Sequence, residues 1–241
     1  MAISLIANID AAGAGPVTTG SIDTTGADFI VIGLAVDDGY NDTPTDSKSN
    51  TWTQVANTYT NTNVRVRMWY SVPTSVGSAH TFTAPSSPIG TIFVVAFSGV
   101  AQTTPEDQIS GANAFASTLK PGSITPTEDN ELIVSIFGIN SAGAPMSIDA
   151  GFTETDEQEF DSGVSYGGAA AYLVQTTAAA ADPTWTRTNT NGMAAIQVSF
   201  KAAAVASGPA NLKTFNGLAK ASVKTINGVA IASVKTVNGV V

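Results

Sequence analysis

His80 is the only histidine in the chain and the first residue to consider for proton transfer. A relay running from carboxylate through imidazole to hydroxyl would need an Asp and a Ser brought to it. No Gly-x-Ser-x-Gly elbow is present, and Ser78-Ala79-His80-Thr81-Phe82-Thr83 alternates like a strand, so an ordinary strand histidine is the expectation. The richest set of oxygen donors runs from Asp37-Asp38-Gly39-Tyr40-Asn41-Asp42 to Asp46. Carboxylates and carbonyls on a loop suit calcium, which makes Asp37, Asp38, Asp42 and Asp46 the candidate metal ligands. An EF-hand is excluded, because its twelve-residue loop counted from Asp38 ends at Ser49, not at an acid; the competing expectation is a solvated acidic loop.

A second acidic group, Glu154, Asp156, Glu157, Glu159 and Asp161, lies around Phe152 and Phe160. Paired carboxylates about 5 to 10 Å apart are what glycoside hydrolysis requires. Simple alternation puts Phe152, Glu154 and Asp156 on one face and Thr153, Thr155 and Glu157 on the other. An exposed strand end with its loop accounts for these charges without catalysis. Trp52, Trp69 and Trp185 could offer flat surfaces to a sugar, although tryptophans of a sandwich more often sit in core or at sheet edges. Trp52 and Trp69 are the candidate glycan contacts, Trp69 because it shares its strand face with Arg65 and Arg67. Gly163 to Gly168 lacks the Gly-Lys-Ser/Thr and the following helix of a phosphate loop.

The elements that would hold these residues read as strands. Asp28 to Val36 is almost continuously apolar, and Asn63 to Ser71 alternates, with Val64, Val66, Met68 and Tyr70 on one face. His80 to Thr83, Ile89 to Phe97, Glu131 to Ile139, Gly168 to Val174 and Ala194 to Phe200 continue the pattern, after an apolar opening at Ile3 to Ile9. No segment of ten or more residues carries an apolar stripe of helical period. The sequence predicts an all-β, antiparallel β-sandwich, jelly-roll-like, with long connections at Asp37 to Asn50 and Val100 to Thr118. A pair of small immunoglobulin-like sandwiches is the alternative. Thr-Trp-Thr occurs at residues 51–53 and at 184–186, too short an echo to establish duplication.

Composition narrows the classes further. With 43% hydrophobic residues among 241, a wholly disordered chain is excluded, and with no cysteine there are neither disulfides nor thiolate chemistry. The opening residues lack the basic region and cleavage site of a signal peptide, and no apolar run approaches a membrane span. Residues 1–200 hold all 19 acidic groups against five basic ones, whereas residues 201–241 hold five lysines and no acid. An acidic body with a basic tail suits docking of the tail on a like neighbour or on its own body, and the tail lysines are too dispersed for a nucleic-acid stripe.

The tail itself repeats with a period of eleven. Lys213-Thr214-Phe215-Asn216-Gly217 recurs as Lys224-Thr225-Ile226-Asn227-Gly228 and as Lys235-Thr236-Val237-Asn238-Gly239. Asn-Gly between β-branched or apolar residues closes a tight hairpin, yet a two-stranded ribbon this short is marginal alone. Its apolar positions therefore need a partner. The expected organisation is a sandwich body at 1–201, a Gly-Pro-containing linker at 202–211 and repeats at 212–241 for docking or oligomerisation. Phe215, Asn216, Gly217, Ile226, Asn227, Gly228, Val237, Asn238 and Gly239 are the assembly residues.

Two patches give the chain a resemblance to structural proteins of tailed-bacteriophage virions, of the head-decoration or fibre-like kind. One runs from Ile30-Val31-Ile32-Gly33-Leu34-Ala35-Val36 through Asp46-Ser47-Lys48-Ser49-Asn50-Thr51-Trp52 and Arg67-Met68-Trp69-Tyr70-Ser71 to Phe97-Ser98-Gly99-Val100. The other is the Lys-Thr-x-Asn-Gly tail. Together they span about half of the chain. The resemblance implies a non-enzymatic sandwich displayed in many copies on the virion surface, a homo-oligomer beside other virion proteins, without a cofactor. A similar sandwich serves as a carbohydrate-binding or adhesion module for host glycans, which is the rival expectation; a polysaccharide hydrolase is the third.

Overall fold

An apolar run such as Phe29 to Val36 is satisfied only by a strand covered on both faces, and the structure, a computed structural model, supplies both covers. It describes residues 2–37, 42–55, 59–61, 64–84, 89–141, 145–161, 165–204, 214–215, 218–219, 223–226 and 229–230. The chain divides into a body, Ala2–Ala202, and a second unit, Ala203–Val241.

In the first half of the body the strands are β1 (Ser4–Ala14), β2 (Val17–Thr18), β3 (Phe29–Val36), β4 (Thr45–Asp46), β5 (Thr53–Gln54), β6 (Tyr59–Asn61), β7 (Val64–Ser71), β8 (Phe82–Ala84) and β9 (Ile89–Ser98). The second half contributes β10 (Glu106–Leu119), β11 (Glu131–Ile139), β12 (Met146–Ile148), β13 (Thr153–Asp161), β14 (Ser165–Gln175) and β15 (Trp185–Phe200). One sheet has the order β1-β9-β3-β7-β5, with β6 also on β7. The other has the order β10-β15-β11-β14-β13, with β12 on β15. A small ladder, β2-β8-β4, completes the first half. The protein is thus an all-β antiparallel sandwich. Leaving aside the β2-β8-β4 ladder, the chain adds all its strands to the first of the two large sheets before crossing to the second between β9 and β10, whereas the expected jelly roll would alternate between them.

The two halves follow the same plan strand by strand. Phe29 pairs with Phe97 in the first sheet, and Leu132 pairs with Phe200 in the second, so β3 and β9 correspond to β11 and the end of β15 at a constant shift. The start of β15 takes the place of β8: Asp46 faces Phe82, and Ile148 faces Trp185. Both opening edge strands carry a bulge near their start, between Leu5 and Ala7 and between Glu106 and Ile109. The Thr-Trp-Thr echo is not the mark of this repetition, since Trp52 precedes β5 whereas Trp185 opens β15; the residue matching Trp185 is Phe82.

Between the sheets lies one core, with Phe29, Val31, Phe93 and Phe97 from one side meeting Val134, Ile136, Ile196 and Phe200 from the other. Phe29 and Tyr70 both pack on Phe200, at ring separations of 4.8 and 5.6 Å. The outer face of the first sheet is not solvated. Ile30, Ile32, Leu34 and Trp69 are covered by Val17, Phe82 and half-buried Trp52. The outer face of the second sheet is likewise covered by Leu119, Ile124, Met146 and Phe152. These outer layers explain why β3 and β11 are buried at every position.

Two segments depart from the sequence expectation. The supposed connection from Val100 to Thr118 contains β10, fourteen residues long. Its Gly, Ala, Asn and Ser carry little strand preference, and pairing with β15 makes the strand. The acidic segment at 153–161 is a full edge strand, β13, not a strand end with a loop.

Candidate functional site

Of the polar residues singled out in the first half, Asp46, Trp52 and His80 converge beside the layer that covers the outer face of the first sheet. Asp46 closes β4, and its Oδ1 accepts from the Lys48 amide at 2.7 Å, while Oδ2 accepts from Trp52 Nε1 at 2.9 Å. His80 Nε2 lies 3.1 Å from Asp46 Oδ1, with both side chains fully buried. On its other side His80 Nδ1 is 2.9 Å from Thr24 Oγ1, and its ring stacks on Phe82 at 4.2 Å. Thr24 Oγ1 also accepts from the Gly77 amide at 3.1 Å. Nearby, Asn50 donates to the Ser75 carbonyl and accepts from the Thr74 and Ser75 amides at 2.9 to 3.0 Å.

Carboxylate, imidazole and hydroxyl therefore stand in the order of an acyl-transfer relay. Thr24 and His80 are both without solvent exposure, so no substrate reaches the hydroxyl in this conformation. The cluster braces three separate stretches of chain against the sheet. Burial holds the His80 imidazole below its ordinary titration range, and the Asp46 contact opposes that only in part.

This arrangement places two of the candidate site residues. Asp46, one of the candidate calcium ligands, has a buried carboxylate that accepts from the Lys48 amide and the Trp52 indole and lies beside His80. Asp37 and Asp42 are described, Asp38 lies outside the described residues, and among the described residues no three acidic or histidine side chains gather as a metal site. Trp69 is not an exposed glycan platform. Its strand face is the one the outer layer covers, and it is fully buried. Trp52 is half-buried, edge-on to Phe82 at 6.2 Å, and tied to Asp46 through its indole nitrogen.

The second acidic group sits on β13, next to β1 along one seam of the sandwich. A bulge between Glu154 and Asp156 breaks the simple alternation, so Glu154 and Glu157 pair with Ala171 and Ala169, and Asp156 pairs with Ala170. Ala169 and Ala171 belong to the outer core, Ala170 to the inner one. Glu154 thus shares its face with Glu157, not with Asp156 as expected. Burial and the adjacent Glu157 charge push the Glu154 carboxyl up to about 7. Asp156 accepts from Asn8 Nδ2 at 2.9 Å, and burial together with the Asp156 charge raises Asp10 on β1.

In the second unit, β16 (Thr214–Phe215) pairs with β17 (Leu218–Ala219), and β18 (Thr225–Ile226) pairs with β19 (Val229–Ala230). The two ladders sit in the same phase of the eleven-residue repeat. Phe215 faces Leu218 and Ile226 faces Val229, which leaves two residues of sequence to join each pair. Asn216, Gly217, Asn227, Gly228, Val237, Asn238 and Gly239 lie outside the described residues. Val229 is 48% exposed.

Sequence reasoning passed over Phe115 on β10, which is 73% exposed. The available signal was a single large apolar residue among Ala, Asn and Ser. Comparison with protein-family models, with curated proteins and with solved structures finds no match.

Proposed function

We propose that the chain is a non-enzymatic structural protein displayed in multiple copies on a phage particle, as capsid decoration or fibre, with the terminal repeats as its assembly element. One observation carries this reading: two ladders of two residue pairs each recur eleven residues apart, in identical phase, with an apolar position such as Val229 left exposed. A ladder of that size does not persist in water by itself. Protein packed against it supplies the missing stability, and a strict repeat offers the same contact several times over. The lysines of residues 201–241, set against an acidic body, favour a neighbouring copy as one such surface. The burial of Asp46, His80 and Thr24, with Thr24 bonded to His80 and Asp46 beside it, supports a role for that cluster in holding the fold.

The test is the mass of the intact assembly compared with that of the chain ended after residue 211. The expected outcome is a folded body that no longer assembles. An unchanged oligomer and unchanged particle attachment would refute the assignment of residues 212–241.

A further inference from the structure

A strand at the edge of a sheet presents unpaired amides and carbonyls, and folded proteins guard such edges with charge, proline, bulges or cover. The two long flanks of this sandwich are guarded unequally. On one flank β1 runs beside β13, where Asn8 bonds Asp156 and five carboxylates occupy nine residues. On the other flank, among the described strands outside its own sheet, β10 meets the three residues of β6, whose Tyr59 packs on Gly111. Among the described residues β10 has no ladder partner except β15. From Gln108 to Leu119 it carries no charge and no proline. Within this stretch Ala112, Ala114 and Ala116 lean on the outer core, and Phe115 projects to the opposite face, 73% exposed.

We infer that the open half of β10, Ala112 to Thr118, pairs edge to edge with the same strand of a second copy, antiparallel about a two-fold axis. Charge selects this occupant. The body is strongly acidic, so a second body is repelled from most of the surface, above all from β13. The stretch from Gln108 to Leu119 is where two copies can approach without setting like charges opposite one another. An antiparallel pair of identical strands is self-complementary, as a two-fold contact requires. It brings the two Phe115 rings onto one face within reach of each other. The contact is independent of the terminal hairpins.

The 241 residues contain no cysteine, so single substitutions report the contact directly. Ala114→Cys mixed with Ala116→Cys, and Asn113→Cys mixed with Ser117→Cys, are oxidised, with Glu159→Cys on β13 as control. A two-fold axis at Phe115 sets the members of each mixture opposite one another, and a disulfide tolerates Cα separations of only about 4.4 to 6.8 Å, so linked heterodimers are expected in the mixtures and not with either variant alone. Adding Phe115→Lys to both partners, a change at an exposed site, is expected to abolish them while circular dichroism stays unchanged. No linking in either mixture, equal linking of Glu159→Cys, or linking indifferent to Phe115→Lys overturns the inference. Linking lost on removal of residues 212–241 but kept with Phe115→Lys assigns the contact to the tail and overturns it equally.

Discussion

Gly33 lies at the middle of β3, facing Ile136 of the second sheet. It is not among the glycines with positive φ, so backbone freedom is not its reason. A Cβ there would stand 2.4 Å from Ile136 Cδ1 and 2.5 Å from its Cγ1. Carbon atoms rest at about 3.5 to 4.0 Å, so Gly33→Ala must displace the fully buried Ile136 side chain by roughly 1 Å. Overpacking of this kind costs about 1 to 3 kcal/mol. Ile136→Ala alone opens a cavity and costs about 2 to 5 kcal/mol. In the double variant the new methyl occupies space that Ile136 has vacated. The two losses should then sum to less than their separate values, with a coupling of about 1 to 2 kcal/mol, within the range seen for residues in contact. Urea unfolding at 25 °C, followed by fluorescence of the buried Trp69 and Trp185, measures all three variants. A Gly33→Ala protein as stable as the parent, or strictly additive losses, would refute the reasoning.

Asp46→Ala should cost about 3 kcal/mol, because it strands the Lys48 amide and the Trp52 indole beside a buried His80. Calcium should leave the melting temperature of the parent unchanged, and a calcium-dependent rise would return the acidic segment to metal binding. The pH dependence contains two opposed contributions. Burial lowers the His80 pKa, so its contribution is present above the unfolded value near 6.5 and is lost as pH falls toward the folded value. Glu154 is raised from 4.5 to about 7, so its contribution is present below 4.5 and is lost as pH rises to about 7. Glu154→Gln should therefore gain on the parent in urea midpoint between pH 4.5 and pH 8; parallel profiles would contradict the assignment.

The parts of the fold legible in the sequence are those where one side chain's environment is fixed by its neighbours in the chain. The apolar run of β3 and the alternation of β7 declare strands, and the period of eleven declares the tail, because each is a local pattern. Alternation also placed Trp69 correctly opposite Met68. It could not tell that a further layer, built from Val17, Phe82 and Trp52, would cover that face. The brace at His80 joins residues 24, 46 and 80, a pairing made only when β4 and β8 meet. The β13 bulge reversed the expected partner of Glu154, since a single extra residue flips the side chains that follow it. For β10 the sequence holds small polar residues that are neutral between strand and loop, and the hydrogen-bonding edge of β15 decides.

Because each sheet is drawn from one unbroken half of the chain, the first is complete on the ribosome once Ser98 has emerged, yet its inner face of Phe29, Val31, Phe93 and Phe97 has nothing to rest on. Its cover ends only at Phe200, roughly 100 residues later, which at about 5 to 20 residues per second is a wait of about 5 to 20 s. A nascent chain with that much grease bare for that long is the stage at which misassembly between neighbouring translation products is most to be expected, and at which a holding chaperone would act.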